Sequence, residues 1–146
     1  MPPPIFGIRP SGTIPQQYLH RARMFRNAAG ELVDYVSGEQ NWPKYALLTH
    51  AIELSLKAFV WQSKSVSEPG SQQPKNHDLR GWYDLAVQYG LEDDPSIAAN
   101  VDILNDLHIN HYTRYPQQGA MPDASTIADT TVDHLIFTFT QSINPR

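Results

Sequence analysis

The chain has 146 residues, 40% of them hydrophobic and 18% charged, with a formal net charge of −4 and no cysteine. That length suits one domain with a real core and is too short for two. The lack of cysteine excludes disulfides, Cys-based zinc sites and thiol chemistry, and the acidic balance argues against a broad nucleic-acid footprint while leaving room for a local basic pocket.

"MPPPIFGIRPSG" opens the chain without a basic region or an apolar leader, so it does not read as a signal peptide. No run approaches the ~18 apolar residues of a membrane span, and a cytoplasmic protein with no membrane association is expected. Residues 1–13 read as an extended, proline-rich arm and 14–146 as a single domain. Beyond the arm, prolines bound five proline-free segments, 16–42, 44–68, 75–94, 96–115 and 123–144. Because proline is tolerated in the first turn of a helix and excluded from its interior, each segment is a helix candidate.

In the first segment, Thr13 and Gln16 have capping-box spacing around Pro15. Leu19, Ala22, Phe25, Ala29, Leu32 and Val36 then recur in steps of three and four, which predicts one amphipathic helix stopped by Gly38. Arg23 reads as an ordinary surface arginine on it. The second segment, "PKYALLTHAIELSLKAFVW", is apolar around most of its circumference and is expected to be the central helix. A polar loop, "SKSVSEPGSQQPKN", follows. "DLRGWYDLAVQYG" predicts a short third helix ended by Gly90. Asp94-Pro95 reads as N-cap and first residue of a fourth helix whose stripe runs through Ile97, Val101, Leu104, His108 and His111. The fifth segment, "STIADTTVDHLIFTFTQSI", carries Thr, Ile and Phe that favour strand locally, but its length and its company favour helix, with Asp123 as its cap. The expectation is an all-α, up-and-down bundle of four long helices plus a shorter one.

Three groups of residues can carry chemistry. Glu53 and Lys57 are four apart on the central helix in the favourable order, with His50 one turn earlier. Surrounded by Ile52, Leu54, Leu56 and Ala58, such a pair is partly shielded and must be matched within the fold. "NHDL" opens the third helix, with Asn76 or His77 as N-cap, Asp78 in the first turn, and His77 at the rim of a site shared with the fourth helix. "LHINHYTRYP" places His108, His111 and Arg114 in succession, and Pro116 turns Tyr115 out of helical geometry. Three chemistries compete for this last group. Histidines with an arginine can cleave RNA by acid–base catalysis. His50-x-x-Glu53 with His108-x-x-His111 can supply four metal ligands from facing helices, although the order differs from di-iron bundles, so no metal and no cofactor are expected. The third is a dimeric interaction module with a polar seam.

"ALLTHAIELSLKAFVW", "NHDLRGWYDLAVQYGL" and "LNDLHINHYTRYP" together resemble the HEPN domain family over residues 44 to 116. The resemblance implies an HEPN-like helical bundle and a homodimer. It also implies one of several roles: a metal-independent endoribonuclease, an RNA- or nucleotide-binding domain, or one half of a toxin–antitoxin pair with a nucleotidyltransferase partner. The family's nuclease motif is an arginine followed after four to six residues by a histidine. No histidine here has an arginine at that distance. Upstream of His111 the corresponding positions hold Leu104, Asn105 and Asp106, and Arg114 follows the histidines. The expected role is therefore binding of RNA, a nucleotide or a partner protein. The pocket expected for it comprises His50, Glu53, Lys57, His77, Asp78, Asn105 and Tyr115 beside His108, His111 and Arg114.

Overall fold

A computed structural model describes residues 12–63, 77–109 and 124–143. The described residues form an all-α bundle of α1 (Ile14–Gly30), α2 (Trp42–Ser63), α3 (Leu79–Gln88), α4 (Pro95–Ile109) and α5 (Ala124–Ile143). A small hairpin, β1 (Tyr35–Val36) and β2 (Glu39–Gln40), lies between α1 and α2. Among these residues no helix is long and apolar enough to cross a membrane.

The start of α1 follows its cap. The Thr13 hydroxyl accepts from the Gln16 backbone N–H, and the Gln16 side chain accepts from the Thr13 N–H at 2.9 Å. Its end does not follow the apolar pattern. Helix α1 stops at Gly30, and Leu32 and Val36, predicted to extend its buried stripe, are 36% and 52% exposed. The reason is capture of this stretch by the next helix. Lys44 Nζ donates to the Leu32 carbonyl and pairs with Asp34 at 2.8 Å, while the Asn41 side chain donates to the Val33 carbonyl. Ser37 and Gly38, both at positive φ, then turn the hairpin in two residues. The Gln40 side chain accepts from the Ala124 N–H, fastening the hairpin to the start of α5.

Helix α2 is the core element, as its composition predicts. Tyr45, Leu48, Ala51, Ile52, Leu56 and Ala58 are fully buried. Its buried hydroxyls are satisfied within the helix, Thr49 by the Tyr45 carbonyl and Ser55 by the Ala51 carbonyl. Paired contacts fix the directions of its neighbours. Phe25 meets His50 and Tyr18 meets Trp61, so α1 runs antiparallel to α2. Gln40 meets Ala124 and Phe59 meets Phe139, with ring centroids 5.0 Å apart, so α5 runs parallel to it.

The short α3 is capped by Asp78, whose carboxylate accepts from the Gly81 N–H at 3.0 Å. That corrects the expectation that Asn76 or His77 caps this helix with Asp78 in its first turn. His77 instead sits just before the cap at φ +58°, a left-handed conformation unusual for a residue with a side chain. Asp94 caps α4 as predicted, accepting from the Ser96 and Ile97 N–H groups. Gly90, at φ +110°, follows the end of α3. Ile97, Val101 and Leu104 are buried along α4, and the Tyr45 hydroxyl donates to the Leu104 carbonyl. The fifth segment is helical, with Ala128, Val132, Leu135 and Phe139 buried at helical spacing, so packing overrides its local strand preference.

This burial pattern predicts the cost of truncation. Leu48→Ala should lose about 2–5 kcal/mol in chemical denaturation. Val33→Ala, at an exposed position before the hairpin, should stay within about 0.5 kcal/mol.

Candidate functional site

The polar cluster forms where α2 meets the beginning of α3. Glu53 stands among the buried residues of α2, its side chain 3% exposed. A carboxylate there must be matched, because leaving it alone in the core would be prohibitive. Lys57, one turn on, places Nζ 2.8 Å from Oε2, the predicted i,i+4 pair. His77 places Nδ1 2.9 Å from Oε1 and 3.2 Å from Oε2. Burial alone would raise the Glu53 carboxyl, but the hydrogen bond and charge of Lys57, followed by those of His77, outweigh it and hold the group below its ordinary value. Glu53 is thus an anion that fixes two nitrogen-bearing side chains. Lys57 also lies 5.3 Å from the centre of the Trp82 ring on α3.

A second tie fixes the start of α3 against α4. The Asn105 side-chain carbonyl accepts from the Leu79 N–H at 2.9 Å, and its amide donates to the Asp78 carboxylate at 3.0 Å. One amide therefore satisfies both a first-turn donor and the cap itself. His77, held by α2 on one side, adjoins a cap held by α4 on the other. Its left-handed backbone lies at the junction of these two restraints.

His50 belongs to the same electrostatic neighbourhood but faces α1. Its ring meets Phe25 edge-on at 4.4 Å. Burial lowers its basicity most, and the charges of Lys57 and His77 add to this against the opposing pull of Glu53.

The structure thus brings together Glu53, Lys57 and His77, joins Asp78 and Asn105 to them through the α3 cap, and sets His50 at the edge. His111, Arg114 and Tyr115 lie outside the described residues. His108 is on α4, but its side chain is not described. Glu53 is paired, among the described residues, with Lys57 and His77. Among the described residues no group of three or more His, Asp or Glu side chains is arranged to hold a metal ion.

Sequence reasoning missed a second feature. A groove of about 980 Å³ lies between α1 and α5, away from the cluster, and is lined by Arg23, Arg26, Asp133 and Phe137 among others. Arg23 is not the ordinary surface arginine its position suggested, because its guanidinium donates to the Thr140 hydroxyl. The signal was in α5, where Phe137 breaks the buried pattern and stands 69% exposed. Comparison of the chain with protein-family models, curated proteins and solved structures finds no match in any of the three.

Two predictions follow from the cluster. Glu53 has a folded pKa below its unfolded value, so its contribution is complete above about pH 4.3 and is lost as pH falls through the folded value. His50, favoured neutral in the fold, likewise contributes above about pH 6.5 and loses that contribution on acidification. Both terms make the protein less stable in acid, in two separate windows. The raised carboxyl of Asp129, caused mainly by burial, has the opposite sign. For that reason the lower window is read as the difference between wild type and Glu53→Gln. In thermal melts across pH, His50→Gln should flatten the upper window and Glu53→Gln the lower. Separately, Asn105→Ala strands the Leu79 N–H and one cap contact and should cost about 1–3 kcal/mol by urea titration.

Proposed function

We propose that the chain is an HEPN-like domain that binds RNA or a nucleotide through the face where α2 meets the start of α3. The observation that carries this reading is the buried Glu53 carboxylate holding Lys57 and His77 together at the surface, with the His77 side chain 68% exposed. An ammonium and an imidazole fixed in this way are pre-ordered to meet a phosphate, so less side-chain freedom is lost on binding. In the sequence, His108, His111 and Arg114 are further donors of the kind this ligand class needs. A homodimer accompanies this reading, as the family resemblance implies.

The Glu53–His77 contact also favours a second reading, metal-independent cleavage of RNA. A carboxylate on Nδ1 orients an imidazole as a general base. Binding ranks first because the family's arginine-to-histidine nuclease spacing is absent from the sequence.

A labelled single-stranded RNA and a fluorescent adenine nucleotide, titrated in fluorescence anisotropy, test the proposal. The wild type should bind one of them, more weakly as salt rises. Lys57→Ala and His77→Ala should each weaken binding about tenfold or more, the loss expected for a charge-assisted contact. Absence of binding by the wild type at about 100 µM, a free energy near 5.5 kcal/mol, would sink the reading. Breakdown of the RNA without added metal, abolished by His77→Ala, would promote the cleavage reading instead.

A further inference from the structure

The groove between α1 and α5 is built from two matching stripes. Helix α1 and its C-cap residue contribute Arg23, Arg26, Asn27, Gly30 and Glu31, and α5 contributes Asp133, Ile136, Phe137, Thr140 and Gln141. Each set follows the spacing i, i+3, i+4, i+7, i+8, the face that one helix presents to another. Here that face points out of the bundle. Phe137 is the largest apolar side chain in it and stands 69% exposed, an uncommon position for a phenylalanine.

The charges in the groove are of two kinds. Arg26 is spent inside the molecule, with its guanidinium forked onto both oxygens of Asp133 at 2.7 and 3.2 Å and lying 3.5 Å from Asp129. Arg23 is held in place by the neutral Thr140 hydroxyl, and no carboxylate pairs with it among the described residues. Glu31, at the other end of the α1 stripe, has no ion pair among the described residues either. One unspent cation and one unspent anion therefore stand eight residues apart on the same face, about 12 Å along the helix axis.

That arrangement is self-complementary. A two-fold axis through the middle of the groove, near Asn27, sets each Arg23 against the partner's Glu31 and brings the two Phe137 rings toward the centre. An isologous interface requires this reciprocity. An apolar centre within a polar, charged rim is also the usual build of a non-obligate contact. We propose that the α1–α5 groove is the surface on which a second copy of this chain docks, in the register that pairs Arg23 with the partner's Glu31. This rests on the homodimer named above and adds its surface and register. It shares no residue with the Glu53–Lys57–His77 cluster, so the cluster stays open in the dimer.

Light scattering after size exclusion, with the full chain and its charge variants, tests the proposal. The wild type should run at twice the chain mass. Phe137→Asp should run as a monomer while keeping its helical circular dichroism. Arg23→Glu and Glu31→Arg should each weaken dimerisation about tenfold or more, since each sets like charges across the axis. The double variant should restore it. A wild type that stays monomeric at about 100 µM removes both the dimer and its surface. A dimer unchanged by Phe137→Asp and by both single charge reversals leaves the dimer standing and overturns this surface alone. Single reversals that break the dimer without rescue by the double variant overturn the register.

Discussion

A carboxylate on the most buried helix of a small protein has to be matched where it stands, and the arrangement of α2, α3 and α4 around Glu53 meets that requirement. Lys57 comes from the same helix and is supplied by the i,i+4 repeat. His77 comes from outside it and is delivered only if α3 starts at a particular place. That place is set by Asp78 as cap, and the cap is held by Asn105 from α4. Charge neutralisation in the core and the position of a loop histidine at the surface are therefore one problem with one solution. Replacement of such a network by apolar residues of equal volume is often tolerated by stability. The polar solution fixes which residue precedes α3 and in what conformation, which apolar packing would leave loose.

Much of this was legible in the sequence because it rests on local rules. The Thr13–Gln16 capping box, the Asp94 cap and the Glu53–Lys57 pair are each decided within four residues, and all three stand in the structure. The central rank of α2 was legible too, since an apolar circumference leaves a helix no solvent face. The fifth segment shows the limit of propensity. Its β-branched residues favour strand one by one, while the spacing of Ala128, Val132, Leu135 and Phe139 favours helix as a set, and the set wins through burial.

What escaped the sequence was decided at long range. Leu32 and Val36 continue the three-and-four spacing of α1 faultlessly, yet that stretch is a hairpin because Lys44 and Asn41 take its carbonyls. Periodicity cannot register competitors that lie eight and twelve residues away, just before another helix and at its start. The Asp78 cap was missed for a related reason. Asn76, His77 and Asp78 can all begin a helix by residue type, and the Asn105 contact to Asp78 comes from a residue too distant in sequence for local rules to register. Arg23 and Phe137 looked unremarkable singly, and they acquire meaning only when α1 and α5 lie side by side.

The tie between Gln40 and Ala124, and the stacking of Phe59 on Phe139, have a consequence for biosynthesis. The first joins the hairpin before α2, and the second α2 itself, to the fifth helix across about eighty residues of chain. As the polypeptide leaves the ribosome at about 5–20 residues per second, α2 appears with one apolar flank bare and waits several seconds for α5 to cover it. During that interval the nascent chain displays the kind of surface that chaperones bind and that drives aggregation when chains are crowded together. The bundle closes only once α5 has emerged and is free to dock, so synthesis of the central helix alone does not complete the core.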